Sequence, residues 1–163
     1  MKILVLSDTH FRKGYSLDSK FIEELSNSEM VIHCGDFVNL EFYSFLNSSG
    51  KLIAVKGNND YSLPRDLPFE RNIEVEGFKI AITHGHLVRI GNIHYKYPDS
   101  DIILYGHEHH PSIEKYKDKL ILSPGSLTSN RYVEYDTFMT LELNKNIEPI
   151  VKFYQLDKCR RNL

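Results

Sequence analysis

Tryptophan is absent from this 163-residue chain, cysteine occurs only twice, and no apolar run approaches the roughly 18 to 20 residues that span a bilayer. Each shortage excludes a class. Cys34 lies in an apolar run and Cys159 near the C-terminal end, so the pair makes neither a disulfide framework nor the spacing of a zinc ribbon. A reduced, cytoplasmic setting is expected. Excess positive charge is also missing: 20 Lys and Arg against 22 Asp and Glu leave a formal charge of −2, so no global field recruits nucleic acid or an anionic membrane. Neither is expected as a strong partner, and phosphate recognition would have to be local. The apolar start from Met1 to Ser7 is too short for the h-region of a signal peptide.

What is present is core material with regular punctuation. At 41% hydrophobic residues, the chain fits one domain over 1–163 that buries a core without cross-links, residues 157–163 reading as a frayed, solvated tail. No linker or internal repeat interrupts it. Short apolar runs at 3–6, 30–34, 52–55, 80–82 and 102–105 read as buried strands. Between Ser16 and Ser28, Leu17, Phe21, Ile22 and Leu25 recur at helical spacing; Leu40, Phe42, Tyr43, Phe45 and Leu46 suggest a second short helix ending near Gly50. This alternation implies a parallel sheet with right-handed crossovers. From about Phe69 onward, strand-like runs separated by Gly, Asn, Asp and Pro turns follow one another, among them 72–77, 78–83, 101–106, 119–124, 137–143 and 148–156. Two packed sheets with helices outside are expected.

The metal-ligand residue types follow the apolar runs. Asp8 and His10 follow the first, Gly35-Asp36 the second, Gly57-Asn58-Asn59-Asp60 the third, His84-Gly85-His86 the fourth and Gly106-His107-Glu108-His109 the fifth. Ligands at strand ends converge in space. Asp8 and His10, two apart, address one cation only if the chain leaves β geometry there. Asp36 follows a glycine that permits a tight turn, and its two carboxylate oxygens can bridge two cations. Asn58 adds an amide oxygen, and His84, His107 and His109 add imidazoles; this mixed nitrogen and oxygen set suits Mn²⁺, Fe²⁺, Zn²⁺ or Ni²⁺ rather than Ca²⁺.

The ordered set Asp-x-His, Gly-Asp, Gly-Asn-x-Asp, His-Gly-His and Gly-His-x-His resembles the calcineurin-like metallophosphoesterase superfamily, over essentially the whole chain, and in particular its small single-domain prokaryotic phosphodiesterase branch. The resemblance implies an α/β fold, a four-layer α/β/β/α sandwich. It implies two divalent ions, Mn²⁺ first among them, one held by Asp8, His10, Asp36 and His109 and the other by Asp36, Asn58, His84 and His107. It further implies a hydrolase whose metal-bridging hydroxide attacks a small phosphodiester substrate in line. A homo-oligomer is compatible with it. Asp60 corresponds to a position that supports a neighbouring catalytic residue, although a solvated turn aspartate reads equally well. The competing implication is a non-catalytic metal-binding scaffold of the same fold.

Two departures from the family pattern stand out. Asn59 occupies the place of a histidine that protonates the leaving oxygen, which an amide cannot do; His86 is then the first alternative proton donor. Glu108 replaces a small or hydroxyl residue and reads as a solvent-facing loop acid. His94 and His110 read as surface histidines. Tyr15, Phe37, Tyr61 and Tyr132 lie near the motifs and could flank a base or aryl group. Pro124-Gly125-Ser126 reads as a turn bordering the site, with Arg131 downstream in reach of a phosphate.

Overall fold

The computed structural model describes residues 1–11, 16–131 and 133–157. Among these, ten strands form two mixed five-stranded sheets. The first contains β1 (Lys2–Leu6), β2 (Met30–His33), β3 (Leu52–Ala54), β9 (Tyr135–Glu142) and β10 (Ile150–Asp157), in the order β10-β9-β1-β2-β3. The second contains β4 (Glu70–Val75), β5 (Phe78–Thr83), β6 (Ile102–Leu104), β7 (Pro111–Tyr116) and β8 (Lys119–Pro124), in the order β4-β5-β6-β8-β7. In each sheet three strands run parallel, β1, β2 and β3 in one and β5, β6 and β8 in the other, with antiparallel partners outside them. The parallel strands point their carboxyl ends the same way, which is why the ligand clusters that follow them can meet.

Strand alternation builds the layers. Ile3, Val5, Ile32, Met139 and Leu141 face Ile80, Ile82, Ile102, Leu104 and Leu122 in the core between the sheets. The alternate residues Leu4, Leu6, Val31 and Phe138 pack outward with Phe21 of α1 (Ser19–Asn27) and Phe42 and Leu46 of α2 (Leu40–Asn47). Both faces are buried, so these strands read as continuous apolar runs. Helix starts are capped by side chains: Asp18 accepts from Lys20 N at 2.8 Å and Asn39 from Phe42 N at 2.9 Å. On the outer face of the second sheet, Ala81, Ile103 and Ile121 pack with Ile93 and Tyr97, carried by the short α3 (Ile93–Lys96) and its flank. The sequence of layers is helix, sheet, sheet, helix, as expected, with a thin last layer.

Two elements differ from expectation. Strand β7 begins on Pro111, in a stretch not among the expected strands, and pairs antiparallel with β8 at the sheet edge, the place where a residue without an N–H is tolerated. His94 is not a plain surface residue: it lies on α3 with its ring stacked on Tyr116, centroids 3.7 Å apart. No helix among the described residues is long and apolar enough to cross a membrane. Residues 158–163, including Cys159, and Arg12 to Tyr15 lie outside the described residues, as does Tyr132.

Candidate metal centre

Five of the expected ligands adopt a backbone that L-residues seldom take. Asp8 (φ 50°), His10 (37°), Asp36 (60°), His107 (73°) and His109 (53°) all lie in the left-handed region. Each such residue costs about 1–2 kcal/mol, so strain is concentrated at the strand ends. It also explains how residues two apart converge: the left-handed turn at Asp8 breaks the strand's alternation and lets Asp8 and His10 address the same point. Gly57 allows the close approach that the cluster needs, since a Cβ there would lie 2.1 Å from Asp36 Oδ1.

The side chains gather as follows. Asp8 Oδ1 has His109 Nε2 at 3.1 Å, and His10 Nε2 and His84 Nε2 each at 4.0 Å. Asp36 Oδ2 lies 3.4 Å from His10 Nε2 and 3.5 Å from His84 Nε2. Asn58 Oδ1 sits 3.1 Å from His84 Nε2. Donor atoms of Asp8, His10 and His109 form one group that could hold an ion, and those of Asp8, Asp36 and His84 a second, all within 4.8 Å of one another in each. Asp8 is thus common to both, and Asp36 stands between the imidazoles of His10 and His84. His107 is brought alongside, its ring centroid 5.2 Å from that of His84 and its backbone N–H donating to Asp8 Oδ2 at 2.8 Å.

These groups fit a cation on two independent grounds. Asp8 Oδ1 and His10 Nε2 are buried polar atoms without a hydrogen-bond partner, although three imidazole nitrogens surround the former. Atoms directed at a common point rather than at one another satisfy a metal, and here the donor atoms stand 3.1 to 4.0 Å apart, close enough to share an ion after a small adjustment. The second ground is orientation. His84 Nδ1 bonds Cys34 O at 2.8 Å and His109 Nδ1 bonds Ser129 O at 2.7 Å. In each ring the backbone carbonyl fixes the proton on Nδ1 and leaves Nε2 free to ligate.

Electrostatics divide the histidines. Burial lowers the proton affinity of His10, and lowers that of His107 together with the charges of His84 and, more weakly, Arg131. His84 and His109 go the other way: burial opposes their charge, but the bond and charge of Asp36 with the charge of Asp8 raise His84, and the bond and charge of Asp8 raise His109. Burial also opposes the Asp36 carboxylate, yet the bond and charge of His84 and two bonds from Asn59 hold it well below the usual carboxylate range. Those bonds come from Asn59 N to Oδ1 at 2.8 Å and Asn59 Nδ2 to Oδ2 at 2.6 Å. Asn59 is therefore turned onto Asp36. His86 keeps its ring 5.3 Å from that of His84, and its buried Nδ1 has no hydrogen-bond partner.

Several neighbours hold the ligand loops, among them Asp60 and the turn at Pro124-Gly125-Ser126 that the sequence offered. Asp60 is 1% exposed and accepts three backbone N–H groups, so it is a buried clamp and not a solvated turn residue. Fully buried His33, which the sequence offered only as a strand residue, ties two ligand loops together. Its Nδ1 accepts from Gly35 N at 3.1 Å, leaving Nε2 to donate to Thr9 Oγ1 at 3.2 Å. Ser126 Oγ donates to Asp8 O and Thr128 Oγ1 to Thr9 O, both at 2.6 Å, so the turn after β8 braces the first ligand loop. An imidazole two residues before Gly35 was the available signal for His33, and the turn at Pro124-Gly125-Ser126 that for Ser126; nothing local signals Thr128. Phe37 corrects an expectation: it is fully buried and stacked on His33 at 3.4 Å, so it cannot flank a substrate. Tyr61, Glu108 and His110 are exposed.

Two parallel strand sets deliver carboxylates and imidazoles to one edge, an arrangement suited to holding metal ions. The chain belongs to the calcineurin-like phosphoesterase superfamily, whose domain model matches residues 1–146. A probable metallophosphoesterase of Methanocaldococcus jannaschii is 36% identical over 138 residues, covering 80% of this chain and 70% of the relative. A phosphodiesterase of the same organism is 35% identical over 143 residues, covering 77% and 83%. Among solved structures, wild-type Vps29 of Entamoeba histolytica complexed with Zn²⁺ superposes with a TM-score of 0.76 at 26% identity, covering 96% of this chain and 99% of that one.

Proposed function

We propose that the protein is a dinuclear metal-dependent phosphodiesterase acting on small phosphodiesters in the cytoplasm. The observation that carries this reading is the position of Asp36 Oδ2, 3.4 Å and 3.5 Å from imidazole nitrogens belonging to two different ligand clusters. A carboxylate so placed suits a bridge. Asp8, His10, Asp36 and His109 would hold one ion, and Asp36, Asn58, His84 and His107 the other. Manganese is the first expectation, with Ni²⁺, Fe²⁺ and Zn²⁺ compatible with the same donors. When bound, two such ions lower the pKa of a water and neutralise charge on the phosphoryl oxygens.

The chain's own residues supply the rest. Cys34 O and Ser129 O orient the His84 and His109 rings, and the two Asn59 bonds hold both oxygens of the Asp36 carboxylate. Asn59 thereby acts as a positioning residue. His86 is a remaining group able to move a proton at the leaving oxygen; burial and then the His84 charge lower its proton affinity, which makes it a poor donor. Diesters with acidic leaving groups are accordingly the best substrates.

A metal-binding scaffold of the same fold is the second reading, favoured by the likeness to Vps29 and by Asn59 in place of an acid. The complete set of ligand residues, with buried atoms poised for ions, weighs against it. Both are tested by adding Mn²⁺ to purified protein and following melting temperature and hydrolysis of bis(4-nitrophenyl) phosphate. The enzyme reading requires both to rise; stabilisation without turnover would leave the scaffold.

A further inference from the structure

A cavity of about 600 Å³ opens beside the metal centre, lined by His107, Glu108, His110 and Arg131. It shares a wall with the centre through His107 yet includes neither Asp36, Asn58 nor His84, so it lies to one side of the place where a phosphoryl group would be cleaved. A volume of this size accommodates the body of a small organic substituent with a charged group attached. Among the described residues that line it, Arg131 carries the permanent positive charge. The backbone there is tied twice to the ligand loop, through Arg131 N to His109 O at 3.2 Å and His109 Nδ1 to Ser129 O at 2.7 Å. Its guanidinium takes part in none of the ion pairs among the described residues. A planar fork that is always charged, carried on a backbone tied to the ligand loop and paired with no carboxylate among the described residues, suits the bidentate recognition of a phosphate. Glu108 on the same wall repels an anion that fails to reach Arg131, which favours a ligand with its charge at one defined point.

We infer that this cavity is a subsite for a second phosphate group of the substrate, bound by Arg131. This rests on the phosphodiesterase reading and narrows it: preferred substrates are phosphodiesters whose retained portion carries a further phosphomonoester.

The test compares two pairs of compounds. Binding of thymidine 5′-phosphate and thymidine 3′,5′-bisphosphate to the manganese-loaded protein is measured by calorimetry. Hydrolysis of thymidine 5′-(4-nitrophenyl phosphate) is measured with and without a 3′-phosphate. The added phosphate should tighten binding about tenfold and raise kcat/KM by a similar factor, the gain expected of a bidentate charge-assisted contact. Arg131→Gln should bring both ratios close to one, and Arg131→Lys should keep part of the preference, since it retains charge but not the fork. A wild-type ratio near one, or a tenfold ratio that survives Arg131→Gln in a variant with unchanged melting temperature, overturns the inference. Absence of turnover on the ester lacking the 3′-phosphate would count against the phosphodiesterase reading alone, because the binding ratio still decides the subsite.

Discussion

Replacing Asp60 should separate the worth of a charge from the worth of an acceptor. Asp60 Oδ2 accepts from Asp36 N and Gly57 N, and Oδ1 from Val38 N, each at 2.8 Å. The clamp joins the loops after β2 and β3 and restrains Asp36 and Val38, both left-handed at φ 60° and 65°. Burial raises the Asp60 pKa more than these bonds lower it. A carboxyl raised on folding contributes less as its charge develops, so neutralising it is not itself costly. Asp60→Asn keeps one oxygen, which can serve either the Asp36 and Gly57 pair or Val38. At least one buried N–H is then left facing the amide's own donors, at a cost of about 2 kcal/mol. Asp60→Ala abandons all three and should cost about 4 kcal/mol. Urea unfolding of metal-free protein, followed by circular dichroism with the m-value checked for constancy, measures both. Because the clamp fixes the Asp36 backbone, metal affinity should also fall, by roughly 10- to 100-fold in Asp60→Asn. An Asp60→Asn variant within 0.5 kcal/mol of wild type and with unaltered metal affinity would refute the clamp; a cost equal to that of Asp60→Ala would show that charge, not acceptor number, matters.

Asp36→Asn should abolish turnover and drop occupancy below two ions per chain while the fold survives, whereas His10→Ala should mainly weaken one ion; metal analysis after dialysis separates the two, and near wild-type activity in Asp36→Asn would sink the ligand assignment. Metal affinity should climb between about pH 6 and 8 with release of protons. His84 and His109 are raised above their ordinary value, so their ion pairs with Asp36 and Asp8 stabilise the metal-free protein fully below the unfolded histidine pKa. That contribution is lost as pH rises through the folded values, where binding becomes easier. Calorimetry in buffers of different ionisation enthalpy counts the protons, and pH-independent affinity would contradict the scheme. Asn59→His should flatten the dependence of rate on leaving-group pKa across a series of aryl diesters, raising turnover on the poorest within roughly 10²- to 10⁴-fold; a shallow slope already present in wild type would make His86 the working acid.

The strand ends were legible because burial on both faces leaves a run such as Ile3 to Leu6 wholly apolar, so the first polar residue after it marks the loop. Helices α1 and α2 were legible for the complementary reason, a helical spacing of Leu17, Phe21 and Leu25 or of Phe42 and Leu46 against polar neighbours. Strand β7 was not. It lies at an edge, starts with proline and exposes Glu114 and Lys115, so it has neither an apolar run nor clean alternation, and its pairing with β8 is a property of the sheet.

The ligand types could be read, but not what holds them. Left-handed geometry at Asp8, His10, Asp36, His107 and His109 runs against the local preference of each residue, so no propensity argument finds it; it persists only where surrounding contacts over-determine the backbone. Those contacts are long-range. Ser126 reaches Asp8 across 118 residues, Thr128 reaches Thr9 across 119, and Asp60 reaches Asp36 across 24. Each is a single short hydrogen bond between a small polar side chain and a main-chain atom, and Ser, Thr and Asp are common in ordinary turns. The sequence therefore displays the donors a cation would need, while the scaffold that strains them into place is written in residues whose role appears only once the two sheets are packed.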